Sequence, residues 1–387
     1  MTTLTRLQAG ELMAQWIERK LERPVERVDF MDGPSTAGFS SATLLAKIVF
    51  GGPHPESSRD IAIRLHDSRP GLFLGGDLTL QWKMIENMAS RTEIPVPLPV
   101  GYEPDASILG APFTVVSKVP GRVAPQVPNY NTGGWIFDLP IQERDRVWRN
   151  ALETLAAIHR VDWRKGFEFL AKPQRGRNGL EQMLDWIEEW YSWSRRGVVH
   201  SNVELALNRL RQNQPANAPD GVLWGDAAPN NMLFGADLEV TAVLDWEAAA
   251  LGPGEADLAW WLFYDEYLSA GFSIPRLQGL PDRRSSIEIY ENALGRPVQN
   301  LVYYELLAHT RNAILSLRSV NRQIERGTID TDSTATTRNP TSRMLALKLG
   351  LPPPEIGSDY AKYLEAVVSQ KTAAALSHDL VLGSHTT

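Results

Sequence analysis

The sequence predicts an α+β protein of two lobes, a small sheet-rich N-terminal lobe and a larger, mainly helical C-terminal lobe. Three observations carry this. Alternating apolar segments, TLLAKIVF and DIAIRLH, lie before residue 120. A stretch rich in Pro, Asn and Gly, PGRVAPQVPNYNTGG at 120–134, then breaks the pattern. Beyond it, long runs at helical spacing are interrupted near 222–245 by short strand-like pieces. The natural division is 1–119 and 120–387, and a cleft between two such lobes is a natural ligand site.

In order, residues 8–22 read as a helix. TLLAKIVF (43–50) and DIAIRLH (60–66) read as strands of an antiparallel hairpin, joined by GGPHPESSR. In the second strand Ile61, Ile63 and Leu65 share one face and Arg64 points to the other. A helix follows over 77–90, then an extended IPVPLPVGY, then a strand over PFTVVSKV (112–119) that ends at Pro120-Gly121. The larger lobe reads as helices at 141–162, 178–195 and 255–270, with two more across 286–326 separated by GRPVQN. Short strands fall near 222–224, 232–234 and 240–245. GTIDTDSTATTRNPT (327–341) reads as a mobile or surface loop, and 356–377 as a last helix with a frayed tail.

The 387 residues suit one very large domain or two ordinary ones, and 43% apolar residues supply a real core. A net charge of -7 gives no general footprint for nucleic acid. With no cysteine, disulfides, thiolate metal sites and cysteine nucleophiles are excluded, which fits the cytoplasm. The N-terminus has no apolar signal core. No segment approaches the ~20 apolar residues of a membrane span. DLAWWLFYDEYL is short, flanked by acids, and reads as a core helix.

The chemistry concentrates in GVLWGDAAPNNMLFG (221–235) and VTAVLDWE (240–247). Asp226 follows a short strand. Pro229 disfavours a helix through 227–230, so a tight loop returns the chain to Asn231. Asp245 ends an alternating run. Phosphoryl transfer needs a carboxylate to orient or deprotonate the acceptor hydroxyl, and oxygen ligands for hard magnesium ions. Strand ends hold such groups in place while leaving them exposed. The alternative is ordinary turn chemistry, with Asp245 capping a helix that starts near Glu247.

WGDAAPNNMLF and VLDWEAAALGPGEADLAWWLF resemble the aminoglycoside phosphotransferase-like family, which shares the protein-kinase-like fold with choline kinases. The resemblance implies that Asp226 is the catalytic Asp and that Asn231 and Asp245 bind Mg2+, while Asp257 is structural. Trp224 stands where the family usually has His and would place an indole near the acceptor side. TAGFSSATLLAKI is similar to the family's phosphate-covering hairpin, with Gly38, Phe39, Ser40 and Ser41 at the turn; an ordinary hairpin turn is the alternative. Arg64 matches the strand cation that pairs the phosphates. Gln81 falls where a helical Glu normally holds that cation, with Asp77 one turn earlier able to compensate. PFTVVSKVPG resembles the segment that holds an adenine edge, so Ser117, Lys118 and Val119 would offer mainly backbone hydrogen bonds. His159, in LAAIHRVDW, would be structural.

These readings imply an ATP- and Mg2+-dependent phosphotransferase, with GTP as a possible donor, acting on a hydroxyl of a small molecule. A non-catalytic nucleotide-binding or scaffold protein with the same fold is the rival reading, motivated by Trp224 and Gln81. Trp186, Trp190 and Trp193 lie at helical spacing. Core packing is the preferred reading for them, and an acceptor wall joined by Trp224 and Trp246 is the alternative. The expected partner is a hydroxylated acceptor, neither nucleic acid nor membrane. Oligomeric state is not legible.

Overall fold

A computed structural model describes residues 5–31, 41–52, 56–66, 71–75 and 78–367. The chain is bilobal. In the N-terminal lobe, helix α1 (Arg6–Leu21) starts at Thr5, whose hydroxyl accepts from the Gln8 N–H while the Gln8 side chain returns to the Thr5 N–H. Ala9, Met13, Trp16 and Ile17 recur at helical spacing and are buried. Strands β1 (Val25–Phe30), β2 (Ser41–Phe50) and β3 (Ser58–His66), helix α2 (Leu78–Arg91), and strands β4 (Pro99–Glu103) and β5 (Phe113–Ser117) follow. The five strands form one antiparallel sheet in the order β1-β2-β3-β5-β4. Ile61, Ile63 and Leu65 of β3 enter the lobe's core, which frees Arg64 for the cleft side.

A backbone bond joins the lobes: the Val243 N–H donates to the Pro95 carbonyl at 2.7 Å, while just past the lobe boundary Arg122 and Phe234 exchange N–H···O bonds of 2.9 and 3.0 Å. The C-terminal lobe then runs α3 (Trp135–Asp138), α4 (Ile141–His159), α5 (Gly179–Arg195), α6 (Ser201–Gln212), β6 (Gly221–Leu223), β7 (Met232–Phe234), β8 (Val240–Val243), β9 (Ala250–Gly252), α7 (Glu255–Leu268), α8 (Arg283–Leu294), α9 (Leu301–Glu325) and α10 (Pro340–Lys348). β6 pairs with β9 and β7 with β8, each antiparallel. Helix α9 is buried along most of its length and packs against α5, α6, α7 and α10. α7 is apolar on nearly every side and is a core helix. No described helix is long and apolar enough to cross a membrane.

The structure departs from expectation in several places. β1, α6, β9 and α10 were not foreseen. The polar stretch 327–341 is only partly exposed: Thr334 and Arg338 face solvent, but Ser333, Ala335, Thr336 and Asn339 are buried. The reason is local hydrogen bonding. Asp359 accepts from the Ser333 and Thr334 hydroxyls and from the Thr334 N–H, while Asn339 caps α10 through the Ser342 N–H. The last helix begins at Tyr360 and is described only to residue 367.

Candidate active site

The loop that carries Asp226 is held from behind. β6 delivers the chain through Trp224 and Gly225 to Asp226. Gly225 has φ +87°, and a Cβ there would lie 1.9 Å from the Ala248 carbonyl oxygen, so only glycine fits. The Asp257 carboxylate, fully buried in the first turn of α7, accepts from the N–H groups of Trp224 (2.7 Å) and Gly225 (3.1 Å). His159 Nε2 also meets Asp257 Oδ2, at 3.1 Å, and its Nδ1 lies 2.6 Å from the Tyr290 hydroxyl. Asp257 and His159 thus clamp the loop from beneath. From α9, Arg311 Nη2 donates to the Gly225 carbonyl at 2.7 Å.

With the peptides on both sides of Gly225 held, Asp226 has little freedom. Its Oδ2 accepts from Asn231 Nδ2 (2.8 Å) and its Oδ1 from Trp260 Nε1 (3.0 Å). The return to Asn231 is a single 3-10 turn with Pro229 in its first position, and the Leu244 N–H donates to the Asn231 carbonyl at 2.8 Å. That bond brings the segment carrying Asp245 alongside. Asp245 sits at φ 57°, ψ 63°, the left-handed region, and its side chain caps no helix. Its Oδ1 instead accepts from both Nη1 and Nη2 of Arg64, each at 3.0 Å, and Glu247 Oε2 lies 3.7 Å from Nη2. A non-glycine residue held at positive φ is a strained device that clusters at functional sites.

The charges do not balance locally. Burial and the neighbouring charge of Asp245 push the Asp226 carboxyl up to about 6, against the pull of its bonds to Asn231 and Trp260 and the charge of Arg311. Burial opposes the Arg64 charge, but Asp245 and Glu247 outweigh it and hold the guanidinium above its ordinary range. Asp226, Asn231 and Asp245 offer oxygen donors to a region of excess negative charge, a set that suits a hard dication. Among the described residues no group of three or more His, Asp or Glu could hold a metal alone. Two protein ligands completed by phosphate oxygens and water is the arrangement magnesium favours.

The remaining predicted residues fall as follows. Gly38, Phe39 and Ser40, and Asp77, lie outside the described residues; Ser41 opens β2. Gln81 is buried on α2, and among the described residues Arg64 meets the carboxylates of Asp245 and Glu247. The N–H groups of Ser117 and Lys118 already donate to the carbonyls of Leu98 (2.8 Å) and Asp60 (2.9 Å). The Val119 N–H has no recorded acceptor among the described residues, so it is the open donor of that segment.

Trp224 and Trp246 are fully buried, and the Trp224 indole donates to the Leu244 carbonyl at 2.8 Å. They are core, not an acceptor wall, because β6 points the indole inward. Trp190 is likewise buried, its Nε1 donating to the Leu72 carbonyl, with Trp186 stacked on it at 5.2 Å. The residues near Asp226 that sequence reasoning missed are Trp260, Tyr264 and Arg311, with Gln126 beyond Tyr264. Trp260 lies three residues after Asp257 and Tyr264 four after that, one helix face that spacing alone could have marked. Gln126 Nε2 donates to the Tyr264 hydroxyl at 2.7 Å, and burial with the charge of Asp226 raises the Tyr264 pKa.

The fold and this site define a kinase-like phosphotransferase architecture. The profile of the phosphotransferase enzyme family (APH) matches residues 83–287, more than half of the chain, and the chain belongs to that family. Among solved structures, a Ralstonia eutropha protein provisionally named an aminoglycoside phosphotransferase superposes with TM-score 0.64 at 21% identity, over 92% of this chain and 98% of its own. Macrolide 2'-phosphotransferase type I superposes with TM-score 0.53 at 14% identity, over 87% and 98%. At these identities the likeness is one of fold. The Arabidopsis thaliana protein named Probable acyl-CoA dehydrogenase IBR3 is 23% identical over 56% of this chain and 27% of its own length. Human Acyl-CoA dehydrogenase family member 11 is 27% identical over 51% and 25%. The chain therefore spans about a quarter of these curated relatives. Fold and family together support phosphotransferase activity in general.

Proposed function

We propose that the chain transfers the γ-phosphoryl group of ATP, with Mg2+, to a hydroxyl of a small molecule. The observation that carries this is the meeting of Asp226, Asn231, Asp245 and Arg64 at one point between the lobes. In this reading the 38–41 turn and Arg64 hold phosphate oxygens, and the Val119 N–H serves the base edge. GTP is the alternative donor. Asn231 and Asp245 would hold magnesium, which neutralises charge on the transferring group. Asp226, aimed by Asn231 and Trp260, orients the acceptor hydroxyl and accepts its proton. Positioning and charge neutralisation supply most of the acceleration.

On the acceptor side, the Tyr264 hydroxyl and the Gln126 amide lie beyond the buried Trp260 ring, and among the described residues no cluster of three or more acids suited to a polycation is found. This favours a less polar hydroxylated metabolite over an aminoglycoside. The curated relatives are named for acyl-CoA chemistry, so hydroxylated acyl compounds come first in a screen. The test is phosphoryl transfer from Mg·ATP to a panel of hydroxylated acids, acyl thioesters, sugars and aminoglycosides, followed by phosphorus NMR. Product on a hydroxylated acyl compound, absent with Asp226→Asn, supports the reading. Nucleotide binding without transfer to any member of the panel favours the non-catalytic alternative.

A further inference from the structure

A cavity of about 470 Å³ lies behind the catalytic loop, and none of Asp226, Asn231 and Asp245 lines it. Its size is that of a small-molecule site. Its walls are mostly apolar: Leu80 from α2, Met183 and Trp186 from α5, Leu223 from β6 and Leu251 from β9. Two acids and three cations also line it. Glu247 is turned to Arg64 (3.7 Å), and Glu189 to Arg175 (2.6 Å). The Lys172 ammonium donates to the Phe169 carbonyl (2.9 Å) at an exposed position.

Arg311 is different. Its residue is only 6% exposed, and its single recorded hydrogen bond runs from Nη2 to the Gly225 carbonyl. Among the described residues no carboxylate forms an ion pair with it. A guanidinium carries five N–H donors, so most of this one is unused. Arg311 lines the cavity, and among the described residues its Nε and Nη1 have no hydrogen-bond acceptor. Burial lowers the Arg311 pKa, and the more distant Asp257 and Asp226 only partly oppose this. The Trp260 ring, 4.7 Å from the guanidinium carbon, compensates the charge in part, but a buried cation with no carboxylate partner remains costly.

We propose that this cavity is a ligand site, separate from the phosphoryl-transfer centre, for a small monocarboxylate with an apolar body, its carboxylate held by Arg311. The guanidinium fork matches a carboxylate in two-point geometry, and the apolar walls take the hydrocarbon. A dianionic phosphate suits it less, because Glu247 and Glu189 stand on the same lining. The occupant would touch Leu80 on α2 and Glu247 beside the Arg64–Asp245 pair, and so would connect the cavity to the cleft.

The experiment is calorimetric titration of hexanoate and, as uncharged control, 1-hexanol into the full chain. It is repeated on Arg311→Gln, on Ala249→Leu, which narrows the cavity and keeps the guanidinium, and on Asp245→Asn. Saturable hexanoate binding is expected, at least tenfold tighter than 1-hexanol, weakened tenfold or more by Arg311→Gln and by Ala249→Leu, and retained by Asp245→Asn. If Arg311→Gln does not fold, Ala249→Leu decides. Absent hexanoate binding, equal affinity for the alcohol, or hexanoate binding unchanged in Ala249→Leu overturns the proposal. Because Asp245 does not line this cavity and Asp245→Asn is expected to weaken nucleotide binding alone, failure of the phosphotransferase reading would be seen separately.

Discussion

Arg64 and Asp245, 181 residues apart in sequence, meet across the cleft with Nη1 and Nη2 each 3.0 Å from one carboxylate oxygen. The pair joins the β-sheet lobe to the segment that follows β8. In the proposed reaction both partners have other work, Arg64 on phosphates and Asp245 on magnesium. The pair is then the resting arrangement, which nucleotide binding exchanges for new contacts.

Replacing Arg64 follows directly. Arg64→Ala is expected to weaken Mg·ATP binding by about tenfold or more, since a charge-assisted contact of this kind contributes roughly 1.5–3 kcal/mol. Arg64→Lys keeps the charge but loses the fork and should fall between. Titration of nucleotide into the three proteins checks this, and unchanged affinity in Arg64→Ala would remove Arg64 from the phosphate site.

Asp226→Asn is expected to cost about 10²–10⁴ in turnover, the usual contribution of a positioned base. Its effect on stability has the opposite sign. The folded carboxyl keeps its proton up to about 6, whereas an unfolded aspartate loses it near 4 on the usual scale. Between those values the folded state binds more protons. This group therefore favours folding at low pH, and that contribution is lost as pH rises through about 6. The variant, neutral throughout, lacks this decline, so its melting temperature should drop less than wild type's between pH 5 and pH 7. Activity of the wild type should rise through the same window. Parallel melting curves at both pH values for the two proteins would contradict the assignment.

Gly225→Ala would drive a methyl into the Ala248 carbonyl at a position of φ +87°. A loss of about 2 kcal/mol or more is expected, with the catalytic loop displaced. Thermal denaturation reads it, and a melting temperature equal to wild type's would show that the loop can re-form around a side chain.

Trp224→His restores the residue usual in the family, yet the structure gives imidazole little to do there. The indole is fully buried, bonded to the Leu244 carbonyl and tilted against Trp246 at 6.1 Å. A loss of about 2–4 kcal/mol is expected from the smaller ring, with no gain in turnover. Higher activity in the variant would instead mean that Trp224 restrains the chemistry.

Much of this site was legible because its residues sit where short patterns end. Asp226 closes GVLWG, Asp245 closes VTAVL, and Arg64 is the polar member of an alternating strand. Each is placed by local structure that a few neighbours determine. Arg311 is not placed in that way. It lies mid-helix in α9, and its partner Gly225 is 86 residues earlier, so nothing nearby marks it. Trp224 misled for a related reason, since residue type and motif position do not say which way a strand end turns its ring. The polar run from Ser333 to Asn339 read as exposed because composition cannot show that Asp359 supplies the missing hydrogen bonds. β9 has three residues, and only its pairing with β6 makes it a strand.

The central claim is a magnesium-dependent nucleotide site built around Asp245, and calorimetric titration of Mg·ATP and Mg·GTP into wild type and Asp245→Asn tests it most directly. The account predicts binding to wild type that needs magnesium and is lost or reduced at least tenfold in Asp245→Asn. Folded wild type that binds neither nucleotide, or binding equally strong in Asp245→Asn, would contradict it.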